Sequence, residues 1–414
     1  EFREVTLMRS LIDTLVRART RSPQAFAFGL VQTVFFIGVV ATVTASVSRP
    51  KSGPLRLPVY NNQPLVISPR FDDPRIVTDD QLRTVLDRLQ PAFGMRQPKV
   101  NYVDHALRFW GLDAKFSHPD VLSGETMRSL LVDDSVFLSA WGEKTKPLLM
   151  PTPAGVAVRM QQGNASASHV DHTLASLAEV GTGLDFPVQL REGNTSIESL
   201  LKHALSDFNL NQREYEWTTL ALALYAPSAE PWVSHEGQQV DFNRLARRMM
   251  RERPSQGVCY GNHRLYTLVI LLRVDEGHGI LNSRTRQAIM DHLMAVTSQL
   301  VSVQSIEGHW DETWARDGRV MEDDSPEARL RSRILATGHA LEWWAMAPEE
   351  LHPPREVMVR AGQWLAREIE AMDQETVLRN YTFLSHAGRA LALWRGGLPC
   401  QVLKRLAIES ETGV

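Results

Sequence analysis

The sequence has few cysteines and no large excess of charge of either sign. Its 414 residues include two cysteines, Cys259 and Cys400, which excludes a disulfide-rich scaffold and leaves open whether the two form one bridge. The formal net charge of -3 gives no electrostatic reason to expect nucleic acid as a partner. With 43% hydrophobic and 22% charged residues, the composition is that of a folded globular protein.

Charge is missing altogether from residues 22–48, which are long and apolar enough to cross a bilayer as a helix. We predict a transmembrane anchor over residues 25–47, with the lipid bilayer as its partner. More arginines precede the segment than basic residues follow it closely, which favours residues 1–24 in the cytoplasm and a periplasmic C-terminal body. A cleaved signal peptide is the alternative, because residues 43–45 (Val-Thr-Ala) resemble a cleavage site.

Proline is concentrated directly after the apolar segment. Because proline removes a backbone donor and resists helix continuation, residues 48–77 are predicted to form an extended tether. An ordered arm over the domain surface is the alternative. From Thr78, a plausible helix N-cap, most apolar runs follow a period of 3.6 residues, and only Leu149–Gln161 has the pattern of a strand hairpin. The sequence therefore predicts an all-α domain over residues 78–414.

Six of the thirteen histidines open a similar short phrase at the head of a helix-like apolar run. They are His105, His172, His203, His263, His339 and His386. The recurrence indicates repeated helical hairpins, each with a polar group at an equivalent place. Their spacings of 31 to 76 residues suit a closed ring of hairpins better than an open solenoid, and would let the histidines line one cavity. For any single histidine, hydrogen bonding near a helix start is the alternative.

Residues 304–310 read Gln-Ser-Ile-Glu-Gly-His-Trp at the end of a predicted helix. This Gln-x-x-x-Gly-x-Trp pattern resembles the QW repeat of the squalene cyclase and protein prenyltransferase β-subunit superfamily. In that superfamily the glutamine and tryptophan staple a helix end to the next turn, and inner helices of an α/α toroid surround a central cavity. The resemblance implies an α/α toroid of helical hairpins, preceded here by the transmembrane helix.

The chain departs from the triterpene cyclases of that superfamily in its acidic residues. Those enzymes protonate an alkene with an Asp-x-Asp-Asp motif, which is missing from this sequence. Residues 132–135 and 322–325 contain only paired acids, which are typical of solvated loops or helix N-termini. Cationic cyclisation is therefore not supported.

A zinc site is an alternative that a second resemblance raises, although no cofactor is our first expectation. Cys259-Tyr260-Gly261 resembles the segment that supplies a zinc thiolate in lanthionine cyclases, which share the toroid. Their later Cys-His pair is missing, because the comparable stretch here ends in His339. Cys259, His263 and His339, with His386 as a substitute for the latter, remain a chemically reasonable ligand set.

Residues 338–343 look similar to a Gly-His-x-x-Glu-Trp stretch on an inner helix of glucosamine epimerases, which are also toroids. His339 and Glu342 are three residues apart, so both can face one cavity and move protons near neutral pH. We predict them as catalytic residues, assisted by His263 and His386. The predicted substrate-binding residues are Trp310, Trp343, Asp311, Glu216, His105 and His172.

These observations predict an enzyme, or an enzyme-derived protein, with a central cavity lined by histidine and tryptophan. Its substrate would be a small molecule or glycan, carbohydrate-like or isoprenoid-like. A non-catalytic scaffold or binding subunit of the cell envelope is one alternative. A zinc-dependent enzyme similar to prenyltransferases or cyclases, centred on Cys259, is the other.

Overall fold

The computed structural model describes residues 31–32, 58–234, 236–315, 323 and 325–412, without the side chains of residues 409–412. The chain divides into two units, residues 1–54 and 55–414, and everything below concerns the second. This unit is rich in helix and has only short strands, which confirms the all-α class.

Fifteen helices are assigned in the described part of this unit. They are α1 (Asp79–Arg88), α2 (Val100–Trp110), α3 (Gly124–Val132), α4 (Asp134–Trp141), α5 (His172–Glu179), α6 (Ile197–Asp207), α7 (Tyr215–Tyr225), α8 (Phe242–Arg251), α9 (Asn262–His278), α10 (Ser283–Val303), α11 (Pro326–Met346), α12 (Arg355–Ala371), α13 (Gln374–Arg379), α14 (Tyr381–Leu393) and α15 (Pro399–Thr412). Short 3-10 turns occupy Pro254–Gln256, Val258–Gly261, Glu312–Ala315 and Glu349–Leu351.

The strands form three antiparallel pairs. They are β1 (Leu149–Thr152) with β2 (Gly155–Val158), β3 (Pro187–Gln189) with β4 (Asn194–Ser196), and β5 (Trp232–Val233) with β6 (Gln239–Val240). The first pair is the hairpin predicted within Leu149–Gln161, with Leu149 opposite Val158.

Six helices contact one another in a closed cycle. The order of contacts is α2, α5, α7, α9, α11, α14 and then α2 again. These inner helices alternate along the chain with helices that cover them. Every residue of α7 is buried, whereas the following α8 buries only one side, with Phe242, Leu245, Ala246 and Met249. A helix buried all round belongs inside the core, and an amphipathic helix belongs on its surface.

Local side-chain contacts fix the ends of these helices. Thr78 accepts a hydrogen bond from the Gln81 backbone and the Gln81 side chain accepts one from Thr78, a capping box that confirms the predicted start of α1. In the turn after α10, Gln304 Nε2 donates to the carbonyls of Gly308 and Val357, each at 2.8 Å. Trp310 Nε1 donates to Leu300 at 2.8 Å. The glutamine and tryptophan of this turn therefore tie α10 to the start of α12.

Residues 58–77 lie along the C-terminal ends of the inner helices. The backbone nitrogen of Asn61 donates to Tyr225 at 2.7 Å, and that of Leu65 donates to Leu224 at 2.9 Å, both at the end of α7. Asp73 donates in the same way to Trp394, which follows α14, at 2.9 Å. These contacts are those of an ordered arm, and residues 48–57 lie outside the described residues.

Among the residues that the structure describes, no helix combines the length and apolarity needed to span a membrane. The predicted anchor at residues 25–47 falls, apart from residues 31–32, outside the described part of the chain. The anchor therefore stays a prediction.

Candidate functional site

Five of the six histidines in the repeated phrase lie on five different inner helices. His105 belongs to α2, His172 to α5, His263 to α9, His339 to α11 and His386 to α14. All five side chains are buried, with 1–5% of their surface exposed. The phrase thus places equivalent imidazoles on five of the six helices of the closed cycle.

The imidazole rings of these helices meet. The three histidines predicted as catalytic form one group, with ring centres 3.9 Å apart for His339 and His386, 4.9 Å for His263 and His339, and 5.6 Å for His263 and His386. His105 stacks on His172 at 4.6 Å and lies 5.5 Å from His386. The structure therefore brings together all five histidines that the sequence predicted for catalysis or substrate binding.

Two more aromatic residues complete the group. His169, in the loop before α5, lies 5.7 Å from His172 and 6.1 Å from His263 between ring centres. Trp217 occupies the corresponding place on α7, with its ring 4.4 Å from His172 and 4.6 Å from His263. The sixth phrase histidine, His203, lies on α6 outside the cycle, where its Nδ1 contacts Thr152. We call the six gathered histidines the histidine layer: His105, His169, His172, His263, His339 and His386.

Five of these six histidines are oriented by an oxygen atom at Nδ1. His339 and His386 both contact Oε2 of Glu342, at 3.1 and 3.0 Å. The other three contacts are His105 with the Asn101 carbonyl at 2.8 Å, His169 with Glu214 at 2.8 Å and His172 with Asp104 at 2.9 Å. Carbonyls and carboxylates only accept hydrogen bonds, so each Nδ1 carries the proton and each Nε2 keeps its lone pair. Arg108 also approaches Nδ1 of His386, at 3.4 Å, and this long contact is weaker than the bond to Glu342.

Several ring nitrogens of the histidine layer have no hydrogen-bond partner within the described chain. They are Nε2 of His172, His339 and His386, and both ring nitrogens of His263. A buried polar atom left without a partner costs about 1–3 kcal/mol. Several such atoms at one place indicate that something beyond these side chains completes the site.

Burial and mutual repulsion favour the uncharged form of three of these imidazoles. Burial lowers the pKa of His105, His263 and His386 well below its usual value, and neighbouring histidines lower it further. A neutral imidazole with a free nitrogen is the form of histidine that binds metal ions.

A group of buried charges lies one helical turn beyond the histidines. Glu342 Oε1 accepts bonds from Nη1 of Arg108 and of Arg389, each at 2.7 Å. Glu179 accepts from Arg108 Nε at 2.5 Å, from Arg389 Nη2 at 3.0 Å, and from the Tyr266 hydroxyl. We call these five residues the charged layer. Burial alone would raise the pKa of Glu342, but Arg108 and His386 hold that pKa well below its usual range.

Most of the charged layer was not predicted from the sequence, although the sequence contains a signal for it. Arg108, Tyr266, Glu342 and Arg389 each stand three residues after a phrase histidine on the same helix. Residues three apart share one helix face. Where the histidines of several helices meet, the residues three positions later on those helices should therefore meet as well, one turn further along. Only Glu342 was recognised by its spacing.

Cys259 reaches the histidine layer from a strained turn before α9. Cys259, Tyr260 and Gly261 all have left-handed backbones, with φ of 50°, 58° and 73°. Left-handed conformations are unfavourable for residues other than glycine, and such strain is concentrated at functional sites. Cys259 Sγ and one nitrogen each of His263 and His339 lie within 4.8 Å of one another. Burial raises the pKa of the thiol above its usual range, so the sulfur is protonated when no cation is bound.

Four predicted substrate-binding residues have their contacts elsewhere. Trp310 donates its indole proton to Leu300, and Trp343 is fully buried against Trp344 with ring centres 4.8 Å apart. Asp311 accepts from the backbone of Thr313 in the turn after α10.

The fourth of these residues is Glu216, at the head of α7. It is buried, and this burial raises the pKa of its carboxyl to about 7. Its main electrostatic neighbours are Arg264, Glu214 and Glu252. The aromatic residue of α7 that does contact the histidines is the adjacent Trp217.

No family model, curated protein or solved structure matches this chain. The resemblance of residues 304–310 to a QW repeat, and the activities it implies, stay predictions.

Proposed function

We propose that this protein is a metal-dependent enzyme built on an α/α toroid. The closed cycle of six inner helices, covered by alternating outer helices, supports the toroid. Its metal would be a transition metal such as zinc, held by Cys259, His263, His339 and His386. We call these four residues the cysteine set.

The observation that carries this proposal is the set of buried histidine nitrogens without partners in the described chain. Nε2 of His339, Nε2 of His386 and both nitrogens of His263 belong to the cysteine set. Apolar packing needs no imidazole, and leaving these atoms unpaired would cost several kcal/mol in total, because each costs about 1–3 kcal/mol. A metal ion would convert this cost into binding energy.

The donor types and their separations fit a transition metal. Thiolate and imidazole suit zinc and its first-row neighbours, whereas magnesium and calcium prefer oxygen ligands. The donors of Cys259, His263 and His339 lie within 4.8 Å of one another. Bonds of 2.0–2.3 Å place tetrahedral donors about 3.5 Å apart, so small rotations of these side chains would bring them to bonding distance.

Glu342 supplies the outer support that metal-binding histidines usually have. A carboxylate that accepts the Nδ1 proton fixes the ring and makes the opposite nitrogen a better ligand. Glu342 holds two rings in this way while Arg108 and Arg389 occupy its other oxygen. Because its oxygens are engaged, Glu342 is a supporting residue rather than a ligand.

A catalytic role suits this centre better than a structural one. Structural zinc replaces a missing core in small domains, but here the inner helices already pack around a large continuous core. When bound, the ion would act as a Lewis acid that lowers the pKa of a water molecule or polarises a substrate oxygen. The side chains of this chain would hold the ion, shield it from bulk solvent and orient its ligands.

Metal analysis tests the proposal directly. The purified full chain, stripped with a chelator, is titrated with Zn²⁺ and Co²⁺, and we expect tight uptake of at least one equivalent. Cys259→Ser should remove the thiolate-to-cobalt charge-transfer band, and His339→Ala should reduce uptake. The matched control is His203→Ala, which removes a phrase histidine outside the layer and should leave uptake unchanged. A folded wild-type chain that takes up no transition metal would reject the proposal.

A second candidate is metal-free acid–base catalysis by His339 and Glu342. Their contact of 3.1 Å is a histidine–carboxylate pair of the kind that transfers protons. Activity that survives complete chelation and is lost in His339→Gln would favour this candidate.

The carbohydrate-like or isoprenoid-like substrate stays a prediction, and the contacts of Trp310 and Trp343 give no support to sugar stacking by these two residues. We retain the membrane anchor at residues 25–47 and the periplasmic location as parts of the proposal. Protease accessibility of the domain in intact and lysed cells would test the location.

A further inference from the structure

The histidine layer contains more imidazoles than one tetrahedral metal ion binds. Three of its members belong to the cysteine set. The other three lie on α2, on α5 and in the loop before α5, and we call them the three-histidine set: His105, His169 and His172. Their ring centres are separated by 4.6, 5.7 and 6.0 Å.

We propose that the three-histidine set binds a second transition-metal ion beside the first, so that the centre is dinuclear. This inference rests on the proposed metal-dependent function and extends it to histidines on α2 and α5. In two-metal centres, the ions together stabilise both the attacking and the leaving oxygen of a displacement reaction.

The hydrogen bonds at Nδ1 of the three rings support this second position, because they leave each Nε2 available. Each Nδ1 contacts a different oxygen, from Asn101, Glu214 or Asp104, at 2.8–2.9 Å. The Nε2 atoms of all three therefore keep their lone pairs, and Nε2 of His172 is buried and has no partner in the described residues. His105 and His172 are stacked, so one of these rings must rotate before both can direct Nε2 to a common ion.

An independent observation is the buried carboxylate behind His172. Asp104 is 2% exposed and contacts Thr173 and His172, and within the described chain it forms no ion pair with a lysine or arginine. Its second oxygen, Oδ1, has no hydrogen-bond partner there. A buried carboxylate needs a compensating positive charge, and a cation bound to His172 would supply it through the imidazole.

The three-histidine set and the cysteine set are adjacent in space. His105 lies 5.5 Å from His386, and His169 lies 6.1 Å from His263, each between ring centres. Trp217 contacts one ring of each set and fills the remaining side. Two ions held by these rings would be close neighbours, as in the two-metal centres of hydrolytic and phosphoryl-transfer enzymes.

The donor chemistry limits the identity of the second ion. Three imidazoles without a thiolate or a carboxylate ligand suit zinc, copper, iron or nickel and disfavour magnesium and calcium. His169 is the most accessible member, with 17% of its side chain exposed. The ion bound there would be the one nearer to solvent.

The experiment is a measurement of metal stoichiometry on the full chain with Zn²⁺ and Co²⁺. We expect two equivalents for the wild type and for His203→Ala, and one equivalent for His169→Ala and for His172→Gln. The cobalt–thiolate band of the cysteine set should remain in both variants. Circular dichroism of each variant checks that it is folded, and His169→Ala is the safer substitution because this side chain is partly exposed.

The outcomes separate the two proposals. One equivalent in the wild type, unchanged in His169→Ala and His172→Gln, would overturn the second site and leave the proposed function in place. Loss of all metal from folded His169→Ala would mean a single site shared by both sets, which also overturns the dinuclear centre. A wild type without any metal would overturn both proposals.

Discussion

The histidine layer and the charged layer are adjacent groups of mostly buried polar residues, carried largely by the same helices. They differ in how completely their polar atoms are paired. In the charged layer, two guanidinium groups face two carboxylates, and both carboxylates accept bonds from Arg108 and Arg389. In the histidine layer, Nδ1 of five histidines contacts an oxygen atom, while both nitrogens of His263 and Nε2 of several others have no partner among the described residues. In the charged layer only Nε of Arg389 has no partner among the described residues, so that layer is nearly complete, whereas the histidine layer requires an external partner.

This difference shows how a buried polar cluster can be assigned a role. Buried charged groups that are paired with one another hold the neighbouring side chains in place. Here those neighbours are the two histidines that contact Glu342. Lone pairs that converge without donors indicate a ligand. Glu342 contacts members of both layers, so it couples the internal support to the proposed metal site.

The largest expected effect is on the charged layer. Arg108→Met should lower the free energy of unfolding of chelator-treated protein by about 3–5 kcal/mol, because it leaves Glu179 and Glu342 buried with one fewer cation. Denaturant unfolding measures this change. The control is Arg379→Met, which removes an exposed pair with Glu375 and should cost less than about 0.5 kcal/mol. A loss below about 1 kcal/mol for Arg108→Met would mean that the charged layer does not support the fold.

A smaller effect, on metal affinity, should distinguish the roles of Glu342 and Glu179 in the charged layer. Glu342→Gln removes the charge behind His339 and His386, and we expect Zn²⁺ affinity to fall about 10- to 100-fold, as for other outer-shell partners of metal ligands. Glu179→Gln removes an equal charge but lies behind Arg108, Arg389 and Tyr266, so it should leave the affinity within a few-fold of wild type. Competition with a chelator of known affinity measures both. Equal losses would show that Glu342 acts through general electrostatics and not through its two histidines.

The fold was more predictable from the sequence than the site. Period-3.6 apolar runs and the cap at Thr78 depend on local interactions, which short stretches of sequence record. The recurrence of the histidine phrase also predicted that His263, His339 and His386 would meet. It could not show that His203 lies on an outer helix, because inner and outer helices carry the same phrase.

The roles of the aromatic residues were harder to predict because they depend on tertiary packing. A tryptophan that stacks on a ligand and one that fills the space between helices have the same sequence signature, and Trp310 and Trp343 fill the core. His169 lies in a loop without a periodic pattern. Only its closeness to His172 in the sequence could have indicated that it belongs to the histidine layer. The left-handed turn at Cys259 is likewise set by its surroundings, because local propensity opposes it.

The smallest expected effect has the opposite sign and distinguishes the two layers most directly. In chelator-treated protein, His263→Leu should raise the free energy of unfolding by about 1 kcal/mol, because it replaces two unpartnered nitrogens with apolar atoms of similar volume. His203→Leu, which removes a contact between the outer helix α6 and Thr152 of β1, should be neutral or slightly destabilising. In metal-loaded protein the order should reverse, since the His263 variant has lost a ligand and gains less from the ion. If His263→Leu destabilises the chelated protein by as much as Arg108→Met does, the histidine layer is already complete without an external partner. The contrast between the two layers would then no longer support a metal site.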